Sequence, residues 1–335
     1  MRDIHTVPAD LPVPADDGAA NHLTGALLPE LALPCTDGTE RLLSELPAPT
    51  VLFFYPRTGV PGQAPLPGEH GETWESIPGA RGCTPQSCSF RDLHAEFAAL
   101  GVAVLGVSTQ TPEFQQAFAE RNHIPFAFLS DAHLNLTRAL RLPTFTFPVA
   151  SGGPARLIKR MCWFVFKGRI EKVWYPVFPP QENAARVLSW LQIQLPYFTG
   201  ISHQSVVIAR EAVVDAAEIG SLYAASGIRR PDQDHLRLAT MFGQSNLVVT
   251  ARRDGRLVGV ARSFVDGAWT CYVCDLAVDL AEQRAGIGKA LLAAVQAIAG
   301  PQCSIVLSAG RGAEDYYAKV GFAPIPSAWF IGRNQ

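Results

Sequence analysis

Two cysteines lie five residues apart in the segment GCTPQSC, where they are Cys83 and Cys88. Apolar residues recur at helical spacing from residue 87 to residue 100, which predicts that a helix begins near Cys83. Unpaired backbone N–H groups and the helix dipole favour an anion at that end of a helix. The thiolate is the reactive form of cysteine, so this position indicates a nucleophilic thiol at Cys83.

The spacing limits what the two thiols can form. If both residues are helical, the axial rise between them is about 7.5 Å, which exceeds the ~7 Å Cα separation that a disulfide tolerates. The sulfurs therefore meet only when the helix partly unwinds, as in a redox cycle rather than a structural cross-link. The other interpretation of the spacing alone is a helix with two buried cysteines.

A second candidate site is a glycine turn in the segment DLAVDLAEQRAGIGKALL, residues 275–292. A strand, a loop and a helix are predicted in succession, with Gly286 and Gly288 at the helix entrance. Open N–H groups there can bind a phosphate or pyrophosphate. Two other glycine motifs are excluded, because a dinucleotide fingerprint needs glycine at Leu291 and a P-loop needs glycine at Gln283.

Strands and helices alternate along both halves of the chain, which favours α/β architecture. In the first half we predict a strand at residues 50–55 and a hairpin at 161–175. The second half restarts with strands and ends with a helix around Tyr316 and a final strand pair. We predict a flexible tail at 1–21, a first domain at 22–194, a linker at 195–204 and a second domain at 205–335.

Composition fits a two-domain globular protein. The chain has 335 residues, and domains usually hold about 100–200. Hydrophobic residues make up 48% and charged residues 17%, and the net charge is −2. These values exclude a disordered chain and give no general attraction to nucleic acid or a membrane surface. The N-terminal segment does not fit a signal peptide, so we expect a cytoplasmic location.

The cysteine segment, together with FFYPRT at residues 53–58 and a following SFRD, resembles the peroxiredoxins of the bacterioferritin-comigratory-protein type, also called peroxiredoxin Q. The resemblance covers about residues 22–194 and implies a thioredoxin-like fold. It implies that Cys83 attacks a hydroperoxide and that Cys88 resolves the sulfenic acid as a disulfide. It also implies a thioredoxin-like reductant and an arginine beside the thiolate, for which Arg160 is the matching position.

The sequence departs from that family at one position. Peroxiredoxins have a threonine three residues before the reactive cysteine, where this chain has Ala80. A loop insertion rich in glycine and proline, residues 59–82, separates Thr58 from Cys83. Either Thr58 folds back to supply the hydroxyl, or Thr84 supplies it.

The glycine turn and the later element YYAKVGF, residues 316–322, resemble the GNAT acyl-CoA N-acetyltransferases over about residues 205–335. The resemblance implies a second α/β domain that uses acetyl-CoA and acetylates a small-molecule or protein amine. It implies that Tyr317 protonates the leaving thiolate, and the pKa of a phenol suits that task. No general base is identified. The expected cofactor-binding residues are Leu276, Ala277, Val278, Gln283, Arg284, Ala285, Gly286, Ile287, Gly288 and Lys289.

The remaining cysteines and histidines suggest no further chemistry. Cys35 and Cys162 fall on apolar extended segments, where core packing is expected. Cys271 and Cys274 lie three apart in a predicted strand, so they point to opposite faces. No two histidines have the spacing of metal ligands, and we expect no metal site.

We therefore expect a bifunctional fusion of a thiol-dependent peroxidase and an N-acetyltransferase. The alternative is a redox sensor in which the cysteine pair regulates a coenzyme A-binding domain without peroxidase turnover. A homodimer is one assembly that the sequence leaves open.

Overall fold

The computed structural model describes residues 8, 10–60, 62–68, 70–310, 312–329 and 331. The chain divides into two compact units, Met1–Trp190 and Leu191–Gln335. Within the described residues, no helix combines the length and the apolar character that crossing a membrane requires.

The first unit is built around a five-stranded sheet. The strands of the whole unit, in that sheet and beside it, are β1 (Ala32–Pro34), β2 (Glu40–Leu42), β3 (Thr50–Phe54), β4 (Ala103–Ser108), β5 (Phe128–Ser130), β6 (Thr144–Thr146), β7 (Arg156–Ile158), β8 (Met161–Phe166) and β9 (Arg169–Trp174). Its helices are α1 (Cys83–Asp92), α2 (His94–Ala99), α3 (Pro112–Arg121), α4 (Asn135–Ala139) and α5 (Asn183–Thr199), the last of which runs on into the second unit. The central sheet has the order β5-β4-β3-β8-β9, and β1 with β2 and β6 with β7 form two small pairs.

β3 holds the reactive segment against the sheet. All five of its residues are buried, as expected for a central strand covered on both faces. Phe53 stacks on Phe90 of α1 with 4.4 Å between ring centroids. Phe54 points to the other face and packs on Trp163 of β8 at 4.2 Å. The aromatic contact of Phe53 therefore fixes the helix that carries Cys83.

The second unit is built around a six-stranded sheet. Its strands are β10 (Ile201–His203), β11 (Val206–Arg210), β12 (Leu247–Arg253), β13 (Arg256–Val265), β14 (Thr270–Val278) and β15 (Ser304–Leu307). Its helices are α6 (Ala216–Ser226), α7 (His235–Gly243), α8 (Ile287–Ala299) and α9 (Glu314–Lys319). The strands follow one another in the sheet, antiparallel up to β14, while β15 runs parallel to β14.

The two faces of this sheet have separate cores. Leu291 and Val295 of α8 pack with Val249 and Val273 on one face. The other face packs on α6 and α7 through residues such as Leu222. The sheet is thus covered by helices on both sides, and the glycine turn that precedes α8 lies at the end of β14.

Most predicted elements are present, with three differences. The helix predicted over residues 87–100 is two helices, because Leu93 leaves the helical conformation at φ −105° and ψ 12°. The residues predicted as a linker, 195–204, contain the last turn of α5 and strand β10. The predicted final strand pair is absent from the described residues after α9, which are 320–329 and 331.

Part of the predicted flexible tail is packed against the first unit. Ala20 is 3% exposed and belongs to the core. Asp17 accepts hydrogen bonds from Lys159 at 2.7 Å and from Tyr175 at 2.8 Å. These bonds lower the pKa of Asp17 to about 2. Residues 1–7 and 9 lie outside the described residues.

The close packing of β4 generates a stability prediction. A Cβ at Gly106 would lie 2.2 Å from the ring of Phe128 and 2.9 Å from that of Phe53. We expect Gly106→Ala to lower the free energy of unfolding by about 1–3 kcal/mol, because buried rings must shift to admit a methyl group. Gly59→Ala is the control, since nothing lies within 4 Å of its Cβ. Urea unfolding measures both variants, and equal stability would contradict this packing.

Candidate active sites

Cys83 is the first residue of α1 and is 4% exposed. The preceding Gly82 has φ +106°, and a Cβ there would lie 2.3 Å from the side chain of Pro180. Only glycine adopts this conformation at so close an approach without strain. Gly82 thus delivers the Cys83 thiol to the end of the helix where N–H groups and the dipole favour an anion.

Arg160 lies directly before β8 and is 3% exposed. Its Nη2 donates to Cys83 Sγ at 3.2 Å and to the carbonyl oxygen of Ala80 at 3.1 Å. Its Nη1 donates to Gln86 Oε1 on the next turn of α1. A fixed guanidinium at this distance stabilises a thiolate more than a thiol, so the pair predicted from the resemblance is in contact.

The end of the inserted loop wraps the guanidinium. The carbonyl oxygens of Gly79 and Arg81 accept from Arg160 Nε and Nη2, both at 3.3 Å. Gln86 in turn donates from Nε2 to Asn183 Oδ1 of α5 at 2.9 Å. A buried cation needs partners of this kind to offset the loss of water. Arg160 therefore joins the inserted loop, α1 and the start of α5.

Cys88 lies on the same unbroken helix and is 8% exposed. Burial raises the pKa of its thiol, so Cys88 is held as a neutral thiol at neutral pH. All seven cysteines are free. Because α1 includes both Cys83 and Cys88, the helical rise keeps them too far apart for a disulfide unless α1 opens.

Cys83 opens onto a cavity of about 540 Å³. Both threonines that were candidates for the missing hydroxyl, Thr58 and Thr84, line this cavity. The Thr58 hydroxyl donates to Gln110 Oε1 at 3.1 Å. Ala80 has no hydroxyl to offer, but its carbonyl oxygen accepts from both Arg160 and the Cys83 thiol.

Arg57 and Arg81 also line the cavity, and the sequence analysis did not single out Arg57. Its guanidinium donates to the carbonyl oxygen of Ser151 at 3.0 Å and lies over the Phe114 ring at 5.5 Å. Burial lowers the pKa of Arg57, and the charge of Cys83 partly offsets that effect. Arg57 belongs to the segment FFYPRT that carries the resemblance, but nothing in that segment indicates that its side chain reaches the cavity at Cys83.

The second unit holds the other candidate site, at the end of β14. Pairing between β13 and β14 shifts register around Cys274, where Asp275 pairs with Arg262 and Val273 pairs with Ser263. Such a bulge re-aims the side chains that follow it. Pairing between β14 and β15 covers only Thr270–Val273. In the described part of the chain, no strand pairs with that edge of β14 at residues 276–278.

The bulge is fixed by a buried carboxylate. Asp275 has no exposed side-chain surface, and it accepts from Nε of Arg230 and Nε of Arg262. Tyr223 donates its hydroxyl to the same carboxylate at 3.0 Å. Two cations and a phenol thus hold one carboxylate at the point where β13 and β14 change register, and Asp275 orders the strand.

The glycine turn and the later tyrosine element lie together. Gly286 has φ +78° and caps α8, and a Cβ at Gly288 would lie 2.6 Å from the Tyr316 hydroxyl. Tyr317 is half-buried, its ring lies 5.8 Å from that of Phe322, and burial raises its pKa. The phenol therefore stays protonated at neutral pH.

The other predicted cofactor residues differ in how they face the turn. Ile287 is buried in the core, so only its backbone can meet a ligand. Gln283 donates from Nε2 to the carbonyl oxygen of Val278 at 3.0 Å. Ala285 packs against the same core, while Arg284 and Lys289 are exposed. The turn thus combines open backbone with two accessible cations.

Of the remaining cysteines, Cys35, Cys162 and Cys271 are buried, while Cys274 and Cys303 are partly exposed. Burial raises the pKa of Cys35 and raises that of Cys162 well above its usual range. Burial also raises the pKa of Cys271 to about 11. Over the part of the chain that the structure describes, no cluster of three histidine, cysteine or acidic side chains could hold a metal ion.

Comparison with known proteins places each half of the chain. Residues 23–188 match the Redoxin family, and residues 223–331 match the acetyltransferase (GNAT) domain family. Chloroplastic peroxiredoxin Q of Gentiana triflora is 26% identical over 191 residues, which is 55% of this chain and 76% of that protein. Peroxiredoxin bcp1 of Schizosaccharomyces pombe is 31% identical over 137 residues, 40% of this chain and 60% of that protein.

Two solved structures are also similar. Peroxidoxin BcpB of Mycobacterium tuberculosis is 28% identical with a TM-score of 0.39, covering 50% of this chain and 96% of its own. A probable acetyltransferase of meticillin-resistant Staphylococcus aureus is 18% identical with a TM-score of 0.34, covering 39% of this chain and 99% of its own.

The contact between Arg160 and Cys83 generates a reactivity prediction. Arg160→Ala removes a charge-assisted hydrogen bond of roughly 1.5–3 kcal/mol, so we expect alkylation of Cys83 by iodoacetamide at pH 7 to slow about ten-fold or more. Arg186→Ala is the control, because Arg186 is exposed on α5. Peptide mass spectrometry reads the modification at Cys83. Unchanged alkylation in Arg160→Ala would remove the guanidinium from the chemistry of this thiol.

Proposed function

The chain is a fusion of a Redoxin (thioredoxin-like) domain and a GNAT acetyltransferase domain, and we propose that it is a bifunctional enzyme. Its first domain is a thiol-dependent peroxidase that reduces hydrogen peroxide or an organic hydroperoxide. Its second domain is an N-acetyltransferase that uses acetyl-CoA. The two resemblances drawn from the sequence are confirmed at the level of families, and the activities are the proposal.

One observation carries the peroxidase proposal: a buried guanidinium donates to a thiol at the start of a helix. Arg160 Nη2 lies 3.2 Å from Cys83 Sγ, and the helix dipole acts in the same direction. The sulfur faces a cavity that Thr58, Thr84 and Arg57 also line. These are the groups needed to hold a thiolate and to bind the polar O–O group of a hydroperoxide.

The chemistry begins with attack by the Cys83 thiolate on the terminal oxygen of the hydroperoxide ROOH. A sulfur–oxygen bond forms and the O–O bond breaks, which leaves Cys83 as sulfenic acid. The leaving RO⁻ takes up a proton and departs as ROH. Sulfur loses two electrons and the peroxide gains them. Arg160 and Arg57 stabilise the negative charge as it moves from sulfur to the leaving oxygen.

The cycle closes through Cys88. Once α1 opens, the Cys88 thiol attacks the sulfenic sulfur, a disulfide forms and water leaves. A thioredoxin-like dithiol then reduces this disulfide and is itself oxidised. The families support an enzyme of this kind, and they do not favour the alternative of a sensor without turnover.

For the second domain, the open edge of β14 carries the proposal. The backbone of Leu276, Ala277 and Val278 has no strand partner on the β15 side within the described residues, so it can pair with the amides of the pantetheine arm. The N–H groups of the turn at Gly286 and Gly288 can receive the pyrophosphate. Gln283, Arg284, Ala285, Ile287 and Lys289 complete this cofactor-binding segment.

The acetyl group passes from sulfur to nitrogen in this proposal. A neutral amine attacks the thioester carbon, a C–N bond forms and the C–S bond breaks. Tyr317 gives its proton to the leaving thiolate, and the proton released by the amine restores the phenol. The products are an acetamide and free coenzyme A. The acceptor is a small-molecule or protein amine.

Substitution of the two reactive cysteines tests the peroxidase. We expect Cys83→Ser to abolish steady-state peroxide reduction, because the nucleophile is lost. Cys88→Ser should still complete one turnover and leave a sulfenic acid on Cys83 that dimedone traps. Cys35→Ser is the matched control and should keep full activity. Retention of most activity in Cys83→Ser would disprove the assignment.

Substitutions at the turn and at the phenol test the acetyltransferase. A Val side chain at Gly288 keeps phosphates from the amides, so we expect Gly288→Val to weaken acetyl-CoA binding about ten-fold or more. Tyr317→Phe should bind acetyl-CoA normally while kcat falls by roughly 10²–10⁴. Gly243→Val, with nothing within 4 Å of its Cβ, is the control. Calorimetry separates the variants, and undiminished binding by Gly288→Val would show that the turn does not hold the cofactor.

A further inference from the structure

We propose that the inserted loop, residues 59–82, makes the peroxidase selective for large apolar organic hydroperoxides over hydrogen peroxide. The inference rests on the proposed peroxidase function and concerns the substrate that Cys83 meets. It is carried by the shape and lining of the cavity onto which the thiol opens.

Polar and apolar side chains both line the cavity. The polar ones belong to Cys83, Thr58, Thr84, Arg57, Gln63, Glu75, Arg81 and Ser151. The apolar lining comes from aliphatic and aromatic side chains, which are Val60, Leu66, Trp74, Phe114, Phe147 and Val149. A ligand that fits both parts has a polar head at the thiol and a hydrocarbon body along the wall.

The inserted loop supplies part of the apolar lining and so forms one wall of the cavity. Val60, Leu66 and Trp74 all belong to it. Trp74 packs edge-to-face on Phe147 with 5.2 Å between ring centroids. An ion pair of 2.8 Å between Glu75 and Arg81 ties the loop together where it leads to Cys83. The loop is thus anchored as a wall of the cavity.

The size of the cavity argues against a site made for hydrogen peroxide alone. Its volume is about 540 Å³, whereas a water molecule in the liquid occupies about 30 Å³, and hydrogen peroxide has only two heavy atoms. A molecule that small gains nothing from an apolar wall. A hydroperoxide with an aryl or long alkyl group buries apolar area there, which lowers the free energy of the bound state.

The reaction at sulfur is the same for either substrate. The Cys83 thiolate takes the terminal oxygen, the O–O bond breaks, and the organic part leaves as an alcohol after protonation, so cumene hydroperoxide gives cumyl alcohol. Only the contacts of the organic part differ. The inserted loop therefore acts on specificity and not on the bond-breaking step.

Two tertiary hydroperoxides of different size test the inference in the full-length protein with dithiothreitol as reductant. We expect kcat/KM to be higher for cumene hydroperoxide than for tert-butyl hydroperoxide. In Leu66→Asp, a charge enters the apolar wall at a residue that is 42% exposed, so the fold should tolerate it. We expect kcat/KM for cumene hydroperoxide to fall roughly ten-fold, with the value for hydrogen peroxide within about two-fold of wild type.

Leu27→Asp is the matched control, because Leu27 is 62% exposed and lies outside the cavity lining. Leu27→Asp should change kcat/KM neither for cumene hydroperoxide nor for hydrogen peroxide. The deciding quantity is the ratio of kcat/KM for cumene hydroperoxide to kcat/KM for hydrogen peroxide. If Leu66→Asp leaves this ratio unchanged, or lowers both values equally, the inference is wrong while the peroxidase proposal stands. If the wild-type protein reduces no hydroperoxide, the peroxidase proposal itself fails, and the inference fails with it.

Discussion

The buried guanidinium of Arg160 is the group on which the first unit's reactive centre depends. A cation that is 3% exposed must replace lost water with protein acceptors, and it finds all of them in one short stretch of chain, residues 79–86. The carbonyl groups of the inserted loop, the side chain of Gln86 and the sulfur of Cys83 all point at it. Meeting this requirement brings the loop, α1 and β8 to one place, and the thiol is held there as one of the acceptors.

The second unit uses a buried charge of the opposite sign for a different purpose. Asp275 is surrounded by Arg230, Arg262 and Tyr223, and it is closed off from solvent. The Asp275 carboxylate stabilises the register shift at Cys274. Beyond this shift, Leu276 and Val278 face α8, while Ala277 faces α6 and α7. In the proposed peroxidase, charge in the first unit prepares a nucleophile, whereas charge in the second unit shapes a strand edge.

Local sequence patterns predicted most helices and strands, but they could not predict contacts between residues far apart in the chain. The run at residues 50–54 and the hairpin after Met161 follow from residue type and turn signals, which act over a few residues. Pro196 indicated the start of a linker, yet α5 continues to Thr199 with Pro196 inside it. Leu195 and Phe198 are both buried there, so packing of this turn outweighs the cost of a proline.

The same distinction holds for the candidate sites. Cys83 and the glycine turn were predicted from spacing, because a helix terminus is a local feature. Arg160 was found only through the resemblance, since 77 residues separate it from Cys83 in the sequence. Gln86 and Arg57 were missed because nothing in their neighbourhood shows which distant group they meet. The apolar cavity was missed for the same reason, since segments far apart in the chain line it.

Placing both cysteines on one unbroken helix also sets how the proposed peroxidase would fail under oxidative load. Between formation of the sulfenic acid and closure of the disulfide, α1 has to open, and during that interval the oxidised sulfur stays at the cavity. A second hydroperoxide that arrives first converts it to sulfinic acid, which a dithiol does not reverse. The rate at which the ten residues of α1 open therefore defines a threshold peroxide concentration. Below it the protein would remove peroxide and be recycled, and above it Cys83 would be lost as sulfinic acid.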